Sequence, residues 1–393
     1  MRNHCLLLLF FSLLTVGCKK ELISTDFNKS VEIEKAKTEG RATGEICTID
    51  TLKTGEIIEI CKPANWNGEL IIFATGNASS FEPLHLPDEV APFIPLYTSK
   101  GYAWAMTSYS EKGFSIQSDI INIIDLQNRF IKKYGEPKYI YFSSAGFGGL
   151  AVALLLERYP KVADGGLCMC APIGDFQKRL NYWGDFRVLF DYFFPNVLPG
   201  DAIHIPEKLG RNWTTTYVPA ILKAIRQKPA AALKLLNIAN APYIAGNTSS
   251  IEQTFQLVLF HHTFFTTDIR QKLKGQPYGN YTKVYWGTGS FKEDFKLNLG
   301  VQRFIADKIA RENVERYYQT TGDIKAPLVQ MSATLDPVVP FYNFTMYEHK
   351  VIEQGKSALL TGMPVDRYGF CPFTPTEIVN AFAVVIQKAK EQK

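Results

Sequence analysis

Hydrolysis through a covalent intermediate needs a nucleophile, a base to take its proton, an acid to orient the base, and donors for the oxyanion. The residues of this chain that could serve are few. Ser143 and Ser144 close the apolar run KYIYFS and lead into AGFGGLAVALLLERYP. A serine where a strand turns sharply into a helix can be lifted above a sheet, so this junction is where such chemistry belongs. Asp336 follows a second apolar run in Leu335-Asp336-Pro337-Val338-Val339-Pro340. The six histidines are His4, His85, His204, His261, His262 and His349. Of these His349 alone follows Asp336, on a helical stretch before the last strand. His261 and His262 sit among Leu259, Phe260, Phe264 and Phe265 and read as apolar-core or pocket residues. Metal and cofactor chemistry have no motif to rest on: no HExxH, no paired CxxC and no glycine-rich phosphate loop. Cys168-Met169-Cys170 alternates on a strand, so its two thiols face opposite sides of a sheet, which suits packing better than joint ligation.

The elements that must position these residues follow from the hydropathy pattern. Apolar runs at 69–74, 102–107, 138–143, 165–171, 326–331 and 357–361 read as strands, with helical patterns between several of them. Ile116, Ile120, Ile123, Ile124, Phe130 and Ile131 recur at helical spacing until Gly135 and Pro137. GLAVALLLERYP is apolar nearly all round and reads as a buried crossover helix. Thr374-Pro375-Thr376-Glu377 has the makings of a capping box at the start of the last helix. Strand, helix, strand in this rhythm means a mostly parallel sheet covered on both faces, the α/β class. The rhythm breaks between 172 and 320, a stretch rich in helix formers and aromatics, which reads as a helical cap inserted into a core of 44–171 and 321–393. Cys47 and Cys61 flank TIDTLKTGEIIEI, a hairpin pattern that brings its ends within disulfide reach, so this pair is expected to bond. That leaves Cys168, Cys170 and Cys371, an odd number, with one free buried thiol expected among them unless two of them pair.

The chain has 393 residues, 46% hydrophobic and 21% charged, with a net charge of +5 spread along its length. That composition excludes a disordered or polytopic membrane protein and gives no case for a nucleic-acid partner. Residues 1–17 read as a signal peptide: Arg2, then LLLLFFSLLTV at 6–16, too short for a permanent span. LTVGC resembles a bacterial lipoprotein lipobox, which implies cleavage before Cys18, acylation of that cysteine, and an exported protein held on a lipid bilayer, the bacterial outer membrane being the expected one. The polar stretch 18–43 reads as a flexible tether.

Several pieces, in order, resemble the α/β-hydrolase superfamily and within it a family of secreted bacterial serine hydrolases. They are Asn65-Trp66-Asn67-Gly68 before a strand, GYAWAMTSYSEKGF (101–114), the strand–helix junction, LNLGVQRF (297–304), the Asp336 loop and YGFCPFTPTE (368–377). The resemblance implies an α/β-hydrolase fold with an N-terminal hairpin and a cap. Aligned on Gly148-Gly149-Leu150, the nucleophile position falls on Gly146, which has no side chain. The position of the base falls on Phe370, within Gly369-Phe370-Cys371, and phenylalanine accepts no proton. The His-Gly of the oxyanion loop falls on Thr75-Gly76, followed by Asn77, with Phe147 as the residue after the nucleophile position. Of the triad, Asp336 remains. Ser144 is the alternative nucleophile, at the cost of placing Phe142 where a tight turn needs a small residue. The resemblance therefore implies a pseudohydrolase needing no cofactor, which holds a small apolar ligand or docks on an outer-membrane assembly. The rival is a weak esterase or peptidase using Ser144 or a cap residue. If a ligand is held, an apolar pocket between cap and sheet is expected, with walls near Thr75, Phe147 and Phe370.

Overall fold

In a computed structural model of the chain, residues 45–76 and 80–392 are described. Residues 1–44, with the expected signal, tether and Cys18, lie outside them, as does Asn77. The chain begins with a hairpin of β1 (Glu45–Thr51) and β2 (Ile57–Pro63), which turns at Gly55 with φ 85°. Cys47 and Cys61 are opposite each other in its register, 4.0 Å apart at Cα, and bonded. The core then runs β3 (Glu69–Ala74), α1 (Phe93–Thr98), β4 (Ala103–Thr107), α2 (Ile116–Tyr134), β5 (Tyr139–Ala145), α3 (Phe147–Arg158) and β6 (Gly165–Met169). It resumes with β7 (Leu328–Leu335), followed by an α-helix at Tyr342–Glu353, then β8 (Leu360–Tyr368) and a last helix at Pro375–Glu391.

The eight strands form one sheet in the order β1-β2-β4-β3-β5-β6-β7-β8. The pairs β1–β2 and β2–β4 are antiparallel, and all pairs from β4 through β8 are parallel. Both faces are buried, so the central strands are apolar throughout rather than alternating: β3, β4 and β6 are buried at every position. On one face Ile116, Ile120, Ile123, Leu126 and Phe130 of α2 pack with Leu150, Val152 and Leu154 of α3. On the other, Ile94 and Tyr97 of α1 pack with Phe382 and Val385 of the last helix and with Trp104 of β4. Helix α2 ends where expected, at Gly135 with φ 91°. The last helix opens on Thr374 with both hydrogen bonds of its capping box formed.

Between β6 and β7 the chain forms helices and loops and no strand, the long ones being α4 (Phe176–Phe193), α6 (Val218–Gln227), α7 (Pro229–Ala239), α8 (Thr248–Lys272) and α9 (Phe291–Gly300). Short α5 (Glu207–Arg211) and α10 (Lys308–Asn313) complete this cap, so the helix at Tyr342–Glu353 is α11 and the last is α12. Cap and sheet belong to one compact unit. Two local readings need correction. The last strand was expected at 357–361, but Ser357–Leu359 forms a 3₁₀ turn and the strand begins at Leu360. Its alternating exposure is that of an edge strand, which tolerates Pro364. Cys170 is bonded to Cys371, with Cα atoms 5.4 Å apart, which leaves Cys168 as the buried free thiol among the described cysteines.

Candidate functional site

The connection from β3 leads outward to β4, and the next leads back across to β5. The strand order therefore reverses between β3 and β5, where open α/β sheets form a crevice beyond the carboxyl ends of the strands. Ala74 and Ser144 are register partners there, so the loop at Thr75-Gly76 and the turn at Gly146 emerge side by side.

Gly146 is that turn. It has φ 55° and ψ −124°, its N–H donates to the Met169 carbonyl (3.0 Å), and its own carbonyl accepts from Gly149 (3.1 Å) as α3 begins. A side chain here would point above the sheet, and an added Cβ would find the Phe370 Cζ as its nearest neighbour, at 3.8 Å. Glycine adopts this backbone at little cost, whereas other residues hold it only under strain. Gly148 serves a different purpose. A Cβ on it would lie 2.1 Å from the Ala74 carbonyl oxygen and 2.4 Å from that of Thr75, so α3 can start against the β3 loop only without a side chain. The Phe147 N–H, at the first turn of α3, has no partner within the helix and is the donor this arrangement offers to an oxyanion. The Thr75 carbonyl accepts from the Tyr109 hydroxyl (3.0 Å).

Ser144 lies in β5, not at the turn. It is fully buried, and its hydroxyl donates to the Leu167 carbonyl at 2.7 Å. Its Oγ thus faces the neighbouring strand β6.

Asp336 caps the loop after β7. Its Oδ1 accepts from the Val338 and Val339 N–H groups (2.8 and 2.9 Å), while Oδ2, though buried, has no partner. Burial pushes its carboxyl up to about 7, against the pull of those two N–H groups and of the Arg179 guanidinium. The backbone N–H of Cys371 also faces this carboxylate, which places Asp336 beside Phe370.

The cap contributes the remaining groups. Arg179 of α4 is buried, with its guanidinium 4.4 Å from the centre of the Trp183 ring and 5.0 Å from that of Phe147. Its Nε and one Nη have no partner, and burial pulls it down to about 10. His261 of α8 stands 5.3 Å from Phe370, centre to centre. Its Nδ1 lies 2.8 Å from the Leu257 carbonyl, which can only accept, so Nδ1 carries the proton and Nε2 is left as the acceptor. Burial, aided by the charge of Arg179, pulls this histidine down to about 3, so it is neutral and weakly basic. His262 is fully buried and turned away, donating from Nε2 to the Ala202 carbonyl at 3.0 Å. The sequence reading placed His261 and His262 among apolar cap residues and missed Arg179. The signal for Arg179 is local: Trp183 follows it by four residues on a helix otherwise rich in aromatics, the spacing at which a cation meets a ring.

Aromatic side chains of core and cap gather beside Gly146. Phe147 packs on Phe265 (5.0 Å), Trp183 (6.3 Å) and Phe114 (5.4 Å), and His261 lies between Trp183 (5.8 Å) and Phe370. A cavity of about 20 Å³ within the cap, lined by Trp183, His262 and Gln276 among others, has room for a single water and not for an organic ligand. An open groove of about 590 Å³ lies elsewhere, between the hairpin and α2. Cys47, Glu59 and Cys61 bring ligand-type atoms within 4.8 Å, but the two sulfurs are bonded to each other and are not thiolates.

No protein-family model and no curated protein sequence matches the chain. Similar solved structures include an acylaminoacyl peptidase from Pyrococcus horikoshii, with TM-score 0.44 and 11% identity over 92% of this chain. The chain spans 43% of that peptidase's length. Others are the Francisella virulence factor BioJ (TM-score 0.47, 10% identity, 92% of this chain and 89% of that one) and an esterase from Aspergillus oryzae (0.44, 11%, 89% and 80%). The strand order, the antiparallel β2 at the edge of a parallel core, and the turn at Gly146 between β5 and α3 make this an α/β-hydrolase fold.

Proposed function

We propose that this protein is a catalytically idle α/β-hydrolase-fold lipoprotein, which acts in a bacterial envelope by binding or scaffolding rather than by turnover. One observation carries the reading. The turn that would present a nucleophile keeps its geometry, φ 55° and ψ −124°, but holds Gly146, and the side chain facing it is Phe370. Neither can attack or take a proton. What it would bind is a small apolar ligand or an outer-membrane partner. Export and anchoring through Cys18 rest on the lipobox resemblance, and the partner expected from it is an outer-membrane assembly. The test is covalent: a serine-directed fluorophosphonate is incubated with the protein and the intact mass is measured. No adduct is expected. A stoichiometric adduct on any serine would overturn the proposal and restore the esterase or peptidase reading.

A further inference from the structure

Helix α9 (Phe291–Gly300) is turned inside out. Asp294 and Leu297 face inward, and Asp294 is buried with its Oδ1 accepting from the N–H groups of Gly287 (3.1 Å) and Thr288 (2.9 Å). Phe291, Phe295 and Leu299, at positions i, i+4 and i+8, form one stripe and are 75%, 58% and 72% exposed. A helix on a soluble surface has the opposite arrangement, apolar residues in and charges out. The stripe is not isolated. Trp286, 56% exposed, lies 6.4 Å from Phe291, ring to ring, and Tyr281 and Val284 are exposed on the same approach. Arg303 donates to the carbonyls of Asn280 and Lys283, which ties the following segment, with exposed Ile305, to this approach. Exposed apolar side chains gathered in this way mark an interaction surface.

The side chains around the stripe identify what it fits. Lys292 and Lys296 stand on α9 next to Phe291 and Phe295, exposed and in no ion pair among the described residues, while Glu293 is neutralised by Lys234. Phenylalanine, tryptophan, tyrosine and leucine on one stripe with uncommitted lysines beside it are the composition of a helix lying in a bilayer interface. The centre of a protein–protein interface is instead depleted in lysine. Among the described residues no helix is long and apolar enough to cross a membrane.

We infer that the face built on α9 docks on the surface of an anionic lipid bilayer, with Phe291, Phe295, Leu299 and Trp286 entering the headgroup boundary and Lys292 and Lys296 meeting lipid phosphates. This deepens the proposed envelope role and does not depend on the elbow being idle. It is also compatible with acylation at Cys18. A second weak attachment is what a lipid anchor needs to hold a domain against the surface.

The test uses the full chain carrying Cys18→Ser, so that acyl chains supply no binding, with vesicles of phosphatidylcholine and phosphatidylglycerol whose acyl chains are brominated near the headgroup. Trp286 is the probe, read as the difference between the parent and Trp286→Phe, since Trp104, Trp183 and Trp213 are buried but Trp66 is half-buried. Quenching of its emission is expected, with loss of the signal in Trp286→Phe. Partitioning of that signal is expected to weaken on the order of a hundredfold in Phe291→Ser/Phe295→Ser/Leu299→Ser. High salt, phosphatidylcholine alone, or Lys292→Gln/Lys296→Gln should each weaken it further from the parent value. Trp286 emission indifferent to vesicles would overturn the inference. So would shielding of Trp286 without lipid, accompanied by dimer in sedimentation, which would assign the face to a second copy. Equal quenching in the triple variant would overturn it as well.

Discussion

On the proposed reading the turn at Gly146 can be given back a nucleophile, and the structure sets the size of each step. In Gly146→Ser the new Cβ finds nothing closer than the Phe370 Cζ at 3.8 Å, so there is no clash, and the cost is that of holding serine at φ 55°. Such strain is about 1–3 kcal/mol. Phe370→His gives up a half-buried ring and its contact with His261, about 1 kcal/mol. The sum is less than the stability of an ordinary domain, about 5–15 kcal/mol, so the double variant is expected to fold. The partner for the new imidazole is in place, because Asp336 keeps Oδ2 unpartnered beside residue 371. Members of a triad act as a unit, so each single variant should match a buffer blank on p-nitrophenyl acetate. The double variant should exceed either by at least about tenfold and should take a fluorophosphonate on the new serine. A double variant with native near-UV circular dichroism that neither turns over nor is labelled would refute the placement of Gly146, Phe370 and Asp336 as one vacated site. Equal activity in Gly146→Ser alone would refute it too.

Three further outcomes are expected. Gly148→Ala forces a Cβ to within 2.1 Å of a backbone carbonyl, and urea midpoints should show a loss of about 3 kcal/mol or no folded protein. His262 is pulled down to about 3 by burial, so the fold needs its neutral form; that contribution is whole above the unfolded value near 6.5 and is lost as pH falls below it. Between pH 7 and pH 5 the parent should therefore lose about 2 kcal/mol more than His262→Gln, read from denaturant titrations at the two pH values. Cys18→Ser should move the protein from the membrane fraction to the soluble one, and unchanged fractionation would count against acylation at that residue.

The parts of this molecule that were legible in its sequence are those governed by local rules. Helix α2 announces itself by isoleucine spacing and stops at Gly135, α12 by its capping box, and the β1–β2 hairpin by alternation around Gly55. The strand–helix junction at Gly146 was legible because a buried crossover helix needs glycines where it starts against backbone, as Gly148 does. What the sequence did not declare is decided by tertiary contact. Arg179 and His261 reach the elbow from helices α4 and α8, and no spacing links either to Gly146. The Cys170–Cys371 bond spans 201 residues and forms because β6 ends beside the loop after β8. Whether an apolar pocket lies there is a matter of volume, which pattern cannot measure: Phe147 and Phe370 read equally well as pocket walls or as filling. The inverted face of α9 was hidden for a similar reason, since its apolar stripe is as periodic as that of a helix facing a core.

The central claim is that this hydrolase fold performs no hydrolysis, and the most direct measurement is turnover of activated esters and aminoacyl anilides by the unmodified protein at neutral pH. The account predicts a rate equal to the buffer blank, unchanged by Ser144→Ala or His261→Phe. A rate above the blank that scales with protein concentration and disappears in either variant, with the fold intact, would contradict it.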